Sequence, residues 1–461
     1  MMRKANLACR TLLTAAGLLW AAAVAAQPPT ADGAVPSPLT ADSAVQLALE
    51  HNTQVINAGA DIDQARSGLY GAYSGVLPRV SASLSRSGRW EEDRTGSDVF
   101  AGVVVPNAST NFENYSTTPS LTGTWSILNL SALSGLSSAR AGLEAAASFR
   151  SATRNDIALS TRRQFYEVVR AVHLVGVAND AARLARDEER RVQALFQVGS
   201  VSRSDLLSAQ VRTAQSELDS LTARQLVVNH RITLATQVGI AEAAMPLVDT
   251  TLIATIQTYD ADSLLAEAEH ARPDLAAADL QLRSAQQGLR SANFLRWPYI
   301  TVGGSLQYRP RSSFTLTDVA TDSAQSGRNE NDLAYDARVA LNLDIFNGLQ
   351  TESRIAGARA QLTRAQESRD ALRRNLRAEI DQVLIAYNEA VERERVSRRA
   401  LDAATENVRL TQQKYNVGSS TILDLITAQV ALARSQSDVV SALATMRVAE
   451  AAVERVRGRP Q

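Results

Sequence analysis

The side chains with the most reactive chemistry are few and scattered. Four histidines, His51, His173, His230 and His270, show no metal-ligand spacing, and the single cysteine, Cys9, lies close to the N-terminus without a partner for a disulfide. Gly303-Gly304 is followed by neither the Lys-Ser nor the Lys-Thr of a phosphate-binding loop and reads as a strand pair that permits curvature. These residues predict no catalytic site, no metal and no cofactor. The chemistry that recurs in an ordered setting is acidic. Val198-Gly199-Ser200, followed by Asp205-Leu206 and Ala209-Gln210-Val211, matches Val417-Gly418-Ser419, followed by Asp424-Leu425 and Ala428-Gln429-Val430. A glycine so placed lets two antiparallel helices reverse through a positive φ. An aspartate in the first turn after it is stabilised by the helix dipole.

These turns belong to an internal duplication. Aligning Leu77-Pro78 with Trp297-Pro298 brings Gly68-Leu69 onto Gly288-Leu289, Ala139-Arg140-Ala141 onto Ala358-Arg359-Ala360, and Tyr166 near Tyr387. The offset stays near about 220 residues, as expected of a repeated supersecondary unit. No proline falls between Pro119 and Pro246 or between Pro310 and Pro460, so both stretches are free to be helical. Residues 131–198 and 350–417 would each run about 100 Å at the helical rise of roughly 1.5 Å per residue. Leu207, Val211, Ala214, Leu218 and Leu221 alternate steps of four and three, as do Ile426, Val430, Ala433, Ser437, Val440 and Ala444, which predicts coiled-coil seams.

Four other runs alternate apolar with polar residues, the period of strands: Val80, Ala82 and Leu84; Leu121, Trp125 and Ile127; Ile300, Val302, Leu306 and Tyr308; Val339, Leu341, Leu343 and Ile345. Each is about ten residues long, the span of a tilted outer-membrane strand. A soluble sheet would alternate too. The aromatics favour the membrane: Trp90, Tyr115, Trp125, Trp297, Tyr299, Tyr308, Tyr335 and Phe346 gather near the expected strand ends, where interface girdles belong. Trp90, Tyr115, Trp125, Tyr308 and Tyr335 are the expected membrane-interface residues, in contact with outer-membrane lipid. The polar stretches 87–115 and 309–332 read as surface loops of hairpins.

A basic start at Arg3, Lys4 and Arg10, an apolar run over residues 12–26 and small residues before Gln27 predict an export signal at 1–26. The formal net charge is zero, which gives no reason to expect nucleic acid as a partner. The charge-rich stretches 183–191 and 392–399 read as solvated helix faces. The expected organisation is a flexible segment at 27–40, a first repeat at 41–240 with a strand hairpin near 79–129, an equatorial segment at 241–262, and a second repeat at 263–458 with a hairpin near 299–346. The helical-hairpin tips fall near 199 and 418. Four strands cannot close a barrel in lipid without open edges, so several copies must share one. Dimers, trimers and tetramers all satisfy that arithmetic.

The order of elements, and above all Phe196-Gln197-Val198-Gly199-Ser200 with Asp205-Leu206-Leu207-Ser208-Ala209-Gln210 and Tyr415-Asn416-Val417-Gly418-Ser419 with Asp424-Leu425-Ile426-Thr427-Ala428-Gln429, resembles the TolC-like outer-membrane efflux family. The resemblance covers essentially the whole chain beyond the signal. It implies a mixed, mainly α fold: a homotrimer with a shared 12-strand transmembrane β-barrel continued by a long α-helical, coiled-coil periplasmic barrel, two structural repeats per protomer. It implies a passive exit duct for efflux or type I secretion, in the outer membrane and reaching into the periplasm. Its partners would be a periplasmic adaptor (membrane fusion) protein and an inner-membrane RND or ABC pump, docked through Val198, Gly199, Ser200, Val417, Gly418 and Ser419. It places Asp424 in a constriction ring and implies a closing hydrogen bond between Tyr415 and Asp205. This chain departs from the pattern at Ser420, where some members carry arginine, and at Thr427, where a second gate aspartate can stand; Arg203 offers a different wiring. A secreted structural coiled coil would explain the helices but not the amphipathic strands, and a soluble adaptor predicts a single helical hairpin.

Overall fold

This computed structural model describes residues 38–92, 97–100, 103–106, 111–253, 256–312 and 329–458. The leader expected at 1–26 and most of the segment 27–40 lie outside the described residues. Two short helices, α1 (Ala41–His51) and α2 (Thr53–Tyr73), lead into strand β1 (Arg79–Glu92), a small antiparallel pair β2 (Ser97–Phe100) and β3 (Val103–Pro106), and strand β4 (Asn111–Ser126). Then follow the long α3 (Leu130–Gln197) and α4 (Arg203–Val238). The second repeat runs α5 (Ala261–Ala271), α6 (Pro273–Asn293), β5 (Tyr299–Ser312), β6 (Asn329–Asn342), α7 (Gln350–Asn416) and α8 (Ile422–Arg457). At 68 and 67 residues, α3 and α7 span about 100 Å each. No helix among the described residues is long and apolar enough to cross a membrane.

The four long strands form one antiparallel sheet in the order β1-β4-β5-β6, so the repeats join through β4 and β5 while β1 and β6 are left as edges. Strand pairing corrects the expected ten-residue runs. It continues to Glu92 opposite Asn111 and to Ser312 opposite Asn329, so the connecting loops are shorter than 87–115 and 309–332. Polar strand residues alternate less cleanly than apolar ones, which hides such extensions from a hydrophobic count. Trp90 and Tyr115 therefore sit in paired strand, opposite Glu113 and Gly88, and their side chains lie outside the described residues. Tyr308 and Tyr335 are also interior to β5 and β6, opposite Leu333 and Leu306. Trp125 donates its indole N–H to the Val76 carbonyl at 2.8 Å. One face of the sheet exposes Val80, Leu84, Leu121, Tyr335, Val339 and Leu341, and the other carries hydroxyl ladders such as Ser81 to Thr122 at 2.7 Å and Ser83 to Ser120 at 2.8 Å.

The helices pack side by side. Near the sheet the order is α2-α3-α6-α7, and toward the tips it is α4-α3-α8-α7, so α3 and α7 run through both halves. The cores sit where the halves meet. One gathers Val45, Ala48, Phe165, Tyr166, Val169 and Leu234; its repeat counterpart gathers Leu264, Ala268, Leu376, Ile380, Tyr387 and Met446. Tyr387 buries its ring and uses its hydroxyl to bond both the N–H and the carbonyl of Gln257, at 2.9 and 3.1 Å. Each core is closed by a left-handed glycine after the last helix of its repeat, Gly239 at φ 86° and Gly458 at φ 77°.

Within the protomer, the expected stripe on α4 is not the face that packs on α3. The face packed on α3 is Leu206, Ala209, Thr213, Ser216, Ser220 and Ala223, small residues that let the helices approach closely, while Leu207, Val211, Leu218 and Leu221 stay exposed. Both stripes carry the same step pattern, so side-chain size does not tell which of them packs within the protomer. On α8 the expected stripe is partly buried, because this helix packs between α3 and α7. The stretches read as solvated faces hide two exceptions, Glu188 and Glu394, both buried.

Candidate functional site

The two hairpin tips are built alike, residue for residue. In the first, Gly199 takes φ 75°, its N–H bonds the Phe196 carbonyl at 2.9 Å and the Ser200 N–H reaches the Leu195 carbonyl at 2.9 Å. In the second, Gly418 takes φ 76°, bonding Tyr415 at 3.0 Å, and Ser419 bonds Lys414 at 2.9 Å. This pair of bonds satisfies carbonyls that a helix end would otherwise leave open. The chain then restarts with a capping box. Ser202 caps α4 and Thr421 caps α8, each accepting from the N–H of an aspartate three residues on. Asp205 returns the bond through Oδ2, accepting from the Ser202 N–H at 3.1 Å and hydroxyl at 2.8 Å. Asp424 Oδ2 accepts from the Thr421 N–H at 2.9 Å, the Thr421 hydroxyl at 2.7 Å and the Ser420 hydroxyl at 3.0 Å. Those bonds, led by the Thr421 backbone, hold the Asp424 carboxyl below its ordinary range, so it stays charged in an exposed position. Ser420, the departure from the expected arginine, thus joins the cap. Thr427 spends its hydroxyl on the Leu423 carbonyl at 2.8 Å.

The tips are held together inside one protomer. Val192, Leu206, Ala209, Ile422 and Leu425 form a small buried cluster with Tyr415 packed against it. Beside it opens a cleft of about 1050 Å³ lined by Arg191, Gly199, Asp205, Tyr415, Asn416 and Gly418 among others. Arg191 crosses between hairpins, its Nη1 donating to Asn416 Oδ1 at 3.3 Å while lying 3.6 Å from Glu188 Oε2. Within the protomer no hydrogen bond joins Tyr415 to Asp205. The Tyr415 hydroxyl and Glu188 Oε1 are both buried without a hydrogen-bond partner. Burial pushes the Tyr415 hydroxyl pKa up, helped by the negative charges of Glu188 and Asp205. Arg203 is exposed and does not line the cleft. Sequence reasoning missed Glu188 because its neighbours in α3 are charged and exposed. The available signal was its spacing, three residues after Ala185 and four before Val192, on the buried face of α3.

Glu188 carries a prediction. Burial raises its carboxyl pKa above 4.5 against the opposing pull of Arg191. A raised carboxyl favours the packed tips fully below the ordinary value, and that contribution is lost as pH rises through the higher packed-state value. Glu188→Gln removes the ionisation, so at neutral pH it should slow amide hydrogen exchange at the tips. Once the intrinsic fall of exchange rate with pH is divided out, it should also abolish the gain in protection that the wild-type tips show on acidification toward pH 4.5. Identical pH responses in the two proteins would contradict this.

A paired-repeat chain with a four-stranded, two-edged sheet and helices of this length defines a class of elongated, channel-forming architecture, and comparison agrees. Residues 44–240 and 264–459 match the family described as Outer membrane efflux protein. Over 384 residues the chain is 22% identical to outer membrane protein TolC of Vibrio cholerae, covering 83% of this chain and 82% of that one. The fold is shared with the Campylobacter jejuni CmeC outer membrane channel, at a TM-score of 0.75 and 15% identity over 91% of this chain and 85% of that one. It is shared also with VceC from Vibrio cholerae, at a TM-score of 0.74 and 19% identity over 91% and 96%. The chain belongs to the outer membrane efflux protein family. It is an outer-membrane exit duct of an efflux system that extends into the periplasm, in a family that works with adaptors and inner-membrane pumps.

Proposed function

We propose that three copies join edge to edge into a trimer whose sheets form one 12-strand barrel in outer-membrane lipid and whose helices continue it as a periplasmic tube. The observation that carries this reading is the matching of the open edges. Toward the tips the edge helices are α4 and α7, and residues equally distant from the two tip glycines pair as Leu207 with Leu410, Ala214 with Ala403, Leu221 with Val396 and Ile232 with Ile385. All eight are exposed in the protomer, and on each helix they recur at steps of seven, seven and eleven residues, whole helical turns that keep them on one face of an antiparallel seam. The unpaired backbone of β1 and β6 makes the same demand at the sheet, since lipid tolerates no open edge. Trp125, Tyr308 and Tyr335 lie on the exposed apolar face and would meet lipid near its interfaces; Trp90 and Tyr115 complete that set.

In this reading residues 41–240 and 263–458 are the two repeats, 241–262 is the equatorial link, and 1–26 is removed on export. The tips 198–200 and 417–419 dock a periplasmic adaptor, which recruits an RND or ABC pump for efflux or type I secretion. Asp424 supplies a ring of carboxylates near the mouth that favours cations. Tyr415 and Asp205 line the cleft through which the hairpins would have to shift, with Thr427 one turn above. Duct opening is passive, driven by the docked partner.

The test is a disulfide across the seam. Leu207→Cys combined with Leu410→Cys, and Leu221→Cys combined with Val396→Cys, should each crosslink on oxidation into a ladder that ends at three copies. The mismatched pair Leu207→Cys with Val396→Cys should stay uncrosslinked. Ladders from the mismatched pair alone would defeat the register.

A further inference from the structure

We propose that Arg79 and Arg338 form an anion-attracting collar on the lumen wall, at the level where the barrel meets the helices. This rests on the shared-barrel reading and adds a ligand class to it. The two arginines occupy one cross-strand row. Arg79 pairs with Thr124, Thr124 with Gly303, and Gly303 with Arg338, so all four positions share a sheet face. That face is the polar one, with Ser81, Thr122, Ser305 and Asp336 in the next row. The opposite face exposes Val80, Leu84, Leu121, Val339 and Leu341, and with apolar residues against lipid the arginine row lines the pore.

The surroundings of the two guanidinium groups are neutral. The Arg338 stem lies over Gly303, where a Cβ would stand in ordinary contact with it, 3.4 Å from Nε and 3.7 Å from Cγ. Arg79 donates from Nε to the Ser74 carbonyl at 3.3 Å and from Nη2 to the Ser74 hydroxyl at 3.0 Å, both neutral acceptors. Both arginines line one cavity of about 480 Å³ with Thr124, Thr301, Gly303 and Asn342. Among the described residues, no carboxylate comes within ion-pair distance of either guanidinium. Some arginines elsewhere in the chain are ion-paired, as Arg272, Arg377 and Arg455 are. Asp336, the acid nearest along the same face, accepts a hydrogen bond from Ser305. Two guanidinium groups from every copy, without an ion-pair partner among the described residues of the protomer and set in a polar wall with lipid behind it, would focus a positive potential on whatever passes. Guanidinium recognises carboxylate, sulfonate and phosphate groups. The collar would therefore favour anionic solutes at the barrel end of the duct, opposite in sign to the Asp424 carboxylates at the tips.

The experiment is channel block in planar bilayers, with tripolyphosphate added on the side of the strand loops. Wild-type channels should be blocked in a concentration-dependent way, and the block should weaken with salt. Arg79→Gln with Arg338→Gln should weaken it by roughly tenfold or more, within the range such fields command. Should the double variant fail to insert, Arg338→Cys alone serves. Its block should weaken, return after reaction with a positively charged methanethiosulfonate, and stay weak after reaction with a negatively charged one. Channels of normal conductance with unaltered block in these variants would overturn the collar. A wild type that forms no channels at all would instead refute the barrel on which it rests.

Discussion

Gly458→Ala and Gly239→Ala should each cost about 3–5 kcal/mol, against about 1–2 kcal/mol for Gly199→Ala or Gly418→Ala. All four glycines sit at positive φ, so all pay the left-handed backbone cost. Their surroundings differ. A Cβ on Gly458 would stand 2.8 Å from the backbone of Ala271 and Arg272, and one on Gly239 would stand 2.6 Å from the His51 carbonyl oxygen. Around Gly199 and Gly418 nothing lies within 4 Å. Backbone cannot move aside as a side-chain tip can, so the first two substitutions must pry the last helix of a repeat away from the end of its first helix. Thermal unfolding followed by circular dichroism should show midpoints lowered by many degrees for the first pair and by only a few for the second. Equal shifts in all four variants would mean that close approach contributes nothing.

Arg272→Met should destabilise the chain by about 3–5 kcal/mol, the usual result of removing the buried partner of an ion-paired network. Arg272 is 5% exposed. It grips Asp274 through Nε at 3.0 Å and Nη2 at 2.5 Å and donates from Nη1 to Glu379 Oε2 at 2.6 Å. Glu379 also accepts from Arg455, which bonds Asp156 at 2.9 Å, so one ionic chain ties α6, α7, α8 and α3 at the seam between repeats. Burial works against the Arg272 charge, but the bonds and charges of Asp274 and Glu379 outweigh it and hold its proton more firmly than usual. For Asp274 burial raises the carboxyl pKa, and the Arg272 bond and charge more than reverse it, to a net value below 3.8. A depressed carboxylate contributes stability above its unfolded value and loses it as pH falls through the folded one. The gap between wild type and Arg272→Met, measured by denaturant titration, should therefore be full at neutral pH and narrow below about pH 3.8. Adding Glu379→Gln should recover part of the loss. A gap independent of pH would assign the effect to packing alone.

Much of this architecture was legible in the residues, and the reasons are local. The tips stood out because a left-handed glycine, its two carbonyl bonds and the capping box that follows are all encoded within a few neighbouring positions, twice over. The long helices were legible from proline-free stretches and their ends from the Val-Gly-Ser turns, α3 stopping at Gln197 and α7 at Asn416. Register was harder. The stripe of α4 that packs within the protomer was hidden because Thr213, Ser216 and Ser220 look polar in sequence yet bury against α3. Strand ends were missed where polar residues carry the pairing. Glu188 was hidden for a related reason: burial depends on the second hairpin, a contact more than two hundred residues away in the chain. Likewise the Arg79 row becomes visible only once β4 and β5 bring the two repeats into one sheet.

The claim on which the account depends is that this chain completes its membrane wall only with copies of itself. Native mass spectrometry of the detergent-extracted protein tests it most directly. The account predicts a single dominant species of three chains that falls apart when the seam is disrupted by Leu221→Glu and Val396→Glu together. A monodisperse single chain that stays soluble after the detergent is removed would contradict it.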